Sequence, residues 1–229
     1  MNILGRDIGF NNILTITIQM MRMIIESTKF NDPLNLWRFY INPQKPVHNQ
    51  INLRNGLKIL LSSNPYDIGT AMVVFCKKEY GNIIPGSIVV DIGANIGTFS
   101  LYAALSKASL IYAIEPNSEA FNTLKSNIQI NSFDGIIIPV HAAVSSKDNV
   151  VMSIPIQSSH CNQVHGFNSN EEYEQVNTIS LTTLMEVNKI ARIDFLKLDC
   201  EGAEYDILMN CPATTMKKIK RIRLAACRN

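Results

Sequence analysis

The sequence is poor in charge, in paired cysteines and in unbroken apolar stretches, and each shortage removes a class of protein. Charged residues make up 17% of 229 and the formal net charge is +2, so no basic excess asks for nucleic acid or an anionic membrane as partner. Five cysteines (Cys76, Cys161, Cys200, Cys211, Cys227) include no C-x-x-C pair. An odd, scattered set suits a reducing cytoplasm, where we expect the protein, better than a disulfide scaffold or a zinc site. The apolar run "ILTITIQMMRMIIES" is interrupted by Gln19 and Arg22 and is short of the roughly 20 residues needed to span a bilayer. Nor does Asp7 beside Arg6, with "ESTKF" downstream, resemble a secretory leader. The expectation is a soluble chain whose first helix packs on the body, with membrane-surface or dimer contact as its other uses. What the sequence has in quantity is apolar material, 46%, enough for a substantial core and too much for a disordered chain.

Two units are expected. Residues 1–66 read as an attachment: the first helix, an irregular wrap over "FNDPLNLWRFYINPQKPV", and a hairpin in "INLRNGLKILL" turning at Asn55-Gly56. Residues 67–229 read as an α/β core. A helix is expected over 67–78, strands near 88–91, 110–115, 136–141 and 193–198, and helices near 97–107, 117–129 and 203–210. Such alternation predicts a doubly wound, mostly parallel sheet. "NVVMSIPI" adds a strand, "GFNSNEEYEQVN" reads as a polar loop, and "IKRIRLAA" closes the chain as a last strand.

The most informative stretch is "SIVVDIGANIGTFSLYAALS". Ile88, Val89 and Val90 form the short apolar run of a strand buried on both faces. Asp91 ends it, Gly93 and Gly97 supply a tight loop that a ligand can approach, and Asn95 between them tolerates a left-handed backbone. The helix that follows offers free N–H groups near Thr98 and Phe99 to an anionic group. A second strand, "LIYAI", ends at Glu115, where an acid can accept both hydroxyls of a ribose. The loop departs from the dinucleotide fingerprint G-x-G-x-x-G, since Asn95 stands where its second glycine belongs. That favours an adenosine ligand without phosphate over a dinucleotide.

Four blocks in order, "VVDIGANIGTFSLYAA", "AIEPNSEAFNTLKSNIQIN", "HAAVSSKDNVVMSIP" and "IDFLKLDCEGAEYDIL", resemble FkbM-type methyltransferases. The resemblance covers roughly residues 67–224. It implies a Rossmann-like class I methyltransferase fold, S-adenosylmethionine as cofactor, and a hydroxyl of a small molecule or saccharide as acceptor. It further implies that Asp91, Gly93 and Gly97 surround the methionine part, Glu115 holds the ribose, Ala142 and Ala143 lie against the adenine, and Asn117 supports that side; Asn95 of the same loop is counted with the cofactor-binding residues. Enzymes of this fold continue into a sixth and a seventh strand. The sequence has no residues for them, so an exposed edge is expected at "IKRIRL", and two copies are expected to meet through that edge or the first helix.

"LKLDCEGAE" brings Asp199 and Glu201 to the carboxyl end of a buried strand, where open parallel sheets bind ligands. For methyl transfer to a hydroxyl we expect Asp199 to orient cofactor or acceptor and Glu201 to act as general base; Glu204, one turn on, reads as structural. The spacing of these acids makes no recognised cation loop, and His160, Cys161 and His165 lack a fourth ligand, so no metal is expected. Two other functions share these features: a nicotinamide-dependent dehydrogenase, and a catalytically impaired relative that keeps the cofactor site. The first lacks its glycine spacing, and the second draws on the missing last strands.

Overall fold

The computed structural model describes residues 2–3, 6–7, 10–43, 49–156, 172–200 and 202–224. Two short strands, β1 (Asn2–Ile3) and β2 (Arg6–Asp7), precede helix α1 (Phe10–Ser27). This helix packs on the body as expected, with Met23 in the main core and Glu26 paired to Lys78 at 2.9 Å, but only Met23 and Ser27 of its described side chains are buried, while Leu14, Ile16, Ile18, Met20, Met21, Ile24 and Ile25 are exposed. The reason is periodicity: apolar residues spaced by two, as in "LTITI", fall on opposite sides of a helix. No helix among the described residues is long and apolar enough to cross a membrane.

The expected irregular wrap is corrected over Pro33–Ile41, which forms helix α2. Asp32 accepts a hydrogen bond from the Asn35 N–H at 3.0 Å, and Pro33 sits in the first turn, where its missing N–H is no loss. The hairpin is as expected: β3 (Gln50–Asn52) pairs antiparallel with β4 (Lys58–Leu60), and Gly56 takes φ +94° in the turn. Helix α3 (Asp67–Ala71) runs on as a π-helix over Met72–Lys77 and stops at Lys78, whose backbone is left-handed.

The core follows the predicted alternation: β5 (Ile88–Ile92), α4 (Thr98–Leu105), β6 (Leu110–Ile114), α5 (Ser118–Ile130) and β7 (Ile137–Val140). A side sheet then forms from β8 (Ala143–Val144), β9 (Val151–Pro155) and β10 (Tyr173–Ile179), in the order β8-β10-β9. Here the polar loop expected over "GFNSNEEYEQVN" is corrected, because Tyr173–Asn177 pair antiparallel with β9. Only Val176 of those five residues is buried, so the strand lacks the apolar alternation that would reveal it. Residues 157–171, with His160, Cys161 and His165, lie outside the described residues.

Helix α6 (Leu181–Val187), unforeseen although Ser180 caps it through the Thr183 N–H, leads to β11 (Phe195–Leu198). Helices α7 (Glu204–Met209) and α8 (Ala213–Met216) precede β12 (Ile222–Leu224).

The main sheet has the order β12-β11-β5-β6-β7, every neighbouring pair parallel. Its strands alternate between two cores. Val89, Ile111, Ala113 and Phe195 face α4, α5 and the π-helix, whereas Val90, Ile92, Tyr112, Ile114, Leu196 and Leu198 face α6 and α7. Among the described residues β12 pairs with β11 alone, and Arg223 and Leu224 are exposed.

The candidate active site at the strand tips

From β5 the chain steps outward through β6 and β7, then crosses back to β11 on the other side of β5. The order reversal therefore lies between β5 and β11, where loops diverge and leave a crevice at the carboxyl ends. Register sets Asp91 opposite Lys197 and Ile92 opposite Leu198, so the tips carrying Asp91 and Asp199 are neighbours.

The glycine loop closes over these tips. Gly93 and Ala94 both donate their N–H to the Ile114 carbonyl at 3.0 Å, tying the loop to β6. Gly93, Asn95 and Gly97 have φ of +73°, +51° and +85°, the left-handed region foreseen for Asn95. The two glycines are also required by close packing inside the protein. A Cβ on Gly93 would lie 2.0 Å from the Asp199 carbonyl oxygen, and one on Gly97 would lie 2.4 Å from Leu124 Cδ1 of α5.

Glu115, at the tip of β6, turns back onto this loop. Its Oε2 accepts the Asn95 N–H at 2.7 Å and its Oε1 the Asn117 N–H at 2.9 Å. Burial pushes its carboxyl up to about 7, against the pull of those two N–H groups. Each oxygen keeps a lone pair for a further donor. Thr98, at the start of α4, is 1% exposed and its Oγ1 has no hydrogen-bond partner among the described residues; a buried hydroxyl of that kind is satisfied by a ligand or water.

Asp91 and Asn117 make their contacts within the protein. Asp91 is fully buried, and its oxygens accept Lys197 Nζ at 2.9 Å and Ser100 Oγ at 2.7 Å, so it braces the β5 tip from beneath. Asn117 caps α5 by accepting the Ala120 N–H, and its amide donates to the Pro155 and Ile156 carbonyls. Ala142 and Ala143 are buried where the chain passes from β7 to β8. Beside them His141 stacks on Phe121 with ring centroids 4.7 Å apart, and Glu174 of β10 accepts from the Ser118 N–H and hydroxyl.

At the β11 tip the Asp199 side chain is 35% exposed, and its Oδ2 accepts the Tyr80 hydroxyl at 2.8 Å. Glu201 lies outside the described residues. Glu204 accepts the N–H groups of Cys200 and Gly202 at 2.9 and 2.7 Å, which closes the turn around that position and fits its structural reading. Among the described residues no group of three or more His, Cys, Asp or Glu is placed to hold a metal ion.

Lys197 and Tyr80 were missed. In "FLKL" the alternation of β11 turns Lys197 toward α4 with Phe195 and directly across from Asp91; that pairing was the available signal. Lys197 is 3% exposed. Burial opposes its charge, but Asp91 and Asp199 outweigh burial and hold its ammonium above the ordinary lysine range. Tyr80 carries no motif.

The sequence is similar to known methyltransferases. The Methyltransferase FkbM domain matches residues 91–227. Methyltransferase 1 of Beauveria bassiana is 28% identical over 144 residues, 53% of this chain and 57% of that protein. The hexuronic acid methyltransferase AglP of Haloferax volcanii is 30% identical over 121 residues, 53% of this chain and 48% of that protein. The chain thus spans about half the length of these curated relatives. The solved methyltransferase FkbM of Methylobacillus flagellatus aligns with 86% of this chain and 45% of that one, at 12% identity and a TM-score of 0.39. With the domain match extending over more than half of its residues, this chain belongs to the FkbM methyltransferase family.

Proposed function

We propose that the chain binds S-adenosylmethionine at the tips of β5, β6 and β11 and methylates a hydroxyl group of a small molecule or saccharide. The observation that carries this reading is Glu115, a buried carboxylate held against the glycine loop beside the order reversal. Its remaining lone pairs suit the paired hydroxyls of a ribose. The orphaned Thr98 hydroxyl at the α4 start suits the carboxylate of a methionine moiety. In this reading Gly93, Asn95 and Gly97 form the wall on that side, Asp91 and Asn117 act through the backbone they brace, and Ala142 and Ala143 bound the adenine.

Bound S-adenosylmethionine supplies an electrophilic methyl group on a positive sulfonium. The protein's part is to align a hydroxyl with it, exclude water and take up the hydroxyl proton. Asp199, exposed at the β11 tip, is assigned the orienting role, and Glu201, two residues on, the proton. AglP, named as a hexuronic acid methyltransferase, supports a saccharide acceptor. Self-association, if it accompanies function, has its apolar surface on α1.

The test is transfer of labelled methyl to a panel of uronic acid saccharides, other sugars, hydroxylated metabolites and RNA. Label is expected on a hydroxyl of a sugar or small molecule, and Glu201→Gln is expected to slow transfer about 10²-fold or more while leaving cofactor affinity within a factor of about two. Label on RNA alone, or on nothing, would reject the acceptor class, and unchanged turnover would remove Glu201 from the chemistry.

The state of Glu115 adds a pH signature. Its carboxyl holds a proton more tightly folded than unfolded (about 7 against 4.5). Its contribution to the stability of the ligand-free protein is therefore fullest below pH 4.5 and is lost as pH rises through about 7. Ribose hydroxyls prefer the ionised form, so affinity for S-adenosylmethionine should rise by about tenfold between pH 6 and 8. Calorimetric titrations across that range check it; Glu115→Gln should bind weakly at every pH, without the slope.

A further inference from the structure

Beneath the crevice, Lys197 and Tyr80 bind to Asp91 and Asp199 yet have no part in methyl transfer as described above. Lys197 Nζ donates to Asp91 Oδ1 at 2.9 Å and to the Gly93 carbonyl at 3.0 Å, and stands 3.6 Å from Asp199 Oδ2. The rings of Tyr80 and Phe99 lie 5.4 and 5.8 Å from the ammonium, closing its apolar side against water. Two carboxylates thus share one lysine. Asp91 is sealed in, so the uncompensated negative charge resides on Asp199, the member of the cluster that reaches the crevice.

Asp199 is also fixed in direction. Tyr80 spends its single hydroxyl proton on Oδ2 at 2.8 Å, on the same oxygen that faces Lys197. Among the described residues Oδ1 has no hydrogen-bond partner. Tyr80 reaches this place because the chain leaves the π-helix through a left-handed Lys78 and turns again at Gly81, φ +82°. It lies ahead of the stretch matched by the family domain, residues 91–227.

We infer that Tyr80 and Lys197 are positioning residues that hold the Asp199 carboxylate as an oriented anion, so that the site distinguishes a positive sulfonium nucleoside from its neutral thioether product by charge. The inference rests on the cofactor reading given above and adds its charge specificity. A fixed anion in a partly desolvated crevice attracts a cation more strongly than one free to turn into solvent. A neutral sulfur gains nothing from it. Tyr80 therefore acts on the charged ligand and is indifferent to the uncharged one.

The experiment titrates wild type, Tyr80→Phe, Asp199→Asn and the double variant with S-adenosylmethionine and with S-adenosylhomocysteine. Tyr80→Phe keeps the ring that packs edge-on to Phe99 at 5.1 Å and removes only the hydroxyl. It should weaken S-adenosylmethionine by about three- to tenfold relative to S-adenosylhomocysteine, the size of one hydrogen bond. Asp199→Asn should erase more of the preference, and adding Tyr80→Phe to it should change nothing further. Equal weakening of both ligands by Tyr80→Phe, or an additive double variant, would overturn the inference and leave the cofactor reading standing. Failure of wild type to bind either ligand would overturn both. Should Tyr80→Phe fail to fold, Asp199→Asn decides alone: an unchanged ratio of the two affinities rejects the role.

Discussion

Replacing Lys197 with methionine is expected to destabilise the protein by about 3–5 kcal/mol, the range for stranding one partner of a buried ion pair. The alternation of β11 faces Lys197 inward, and the parallel register sets it across from Asp91. With the ammonium gone, the Asp91 carboxylate keeps, among the described residues, only the Ser100 hydroxyl as hydrogen-bond partner, at zero exposure. It must then remain charged without compensation or take up a proton. The pair as a whole is a weaker source of stability than either partner's loss suggests, because both charges were desolvated to form it. Asp91→Asn combined with Lys197→Met should accordingly recover a large part of the loss, giving strong non-additivity in a denaturant-melt cycle. Additive effects, or a single variant within about 1 kcal/mol of wild type, would mean that water reaches Asp91.

Gly93→Ala should be of similar severity for a different reason. The methyl would meet a backbone carbonyl, Asp199 O, at 2.0 Å, and φ is +73°. Left-handed backbone penalises a Cβ by about 1–2 kcal/mol and overpacking adds roughly 1–3 kcal/mol. No flexible side chain is present to yield, so relief requires the β5 and β11 tips to separate, which opens the crevice itself. We expect a loss of about 3 kcal/mol or more in denaturant melts, with cofactor affinity falling beyond detection even where the variant is folded. Gly97→Ala separates the two effects: its clash is with the far end of the Leu124 side chain, which can rotate away, so binding should be retained in weakened form.

The sheet was legible because its strands are short continuous apolar runs bounded by glycine, proline and acid, and the hairpin because Asn55-Gly56 admits few other conformations. Strand order, which no local pattern states, makes the tips of Asp91 and Asp199 neighbours, and hydrogen bonds turn Glu115 onto the glycine loop. What stayed hidden has physical causes. Helix α2 was masked by Pro33 together with Pro43 and Pro46 beyond it, although Asp32-Pro33 is a regular helix start. Strand β10 presents glutamate, glutamine and asparagine on a side sheet, where little burial is required of it. Tyr80 acts across 119 positions of sequence, and no local pattern encodes such a contact. Lys197 looked like one more basic residue. Only its register against Asp91 shows that a lysine in the middle of "FLKL" must be paired.

The most direct test of the account is a calorimetric titration of the wild-type chain at pH 8 with S-adenosylmethionine, run beside NAD and beside Glu115→Ala. The account predicts one saturable site for S-adenosylmethionine, no heat with NAD, and loss of the site in Glu115→Ala. Binding of NAD in preference, or S-adenosylmethionine affinity unaltered by Glu115→Ala, would contradict it.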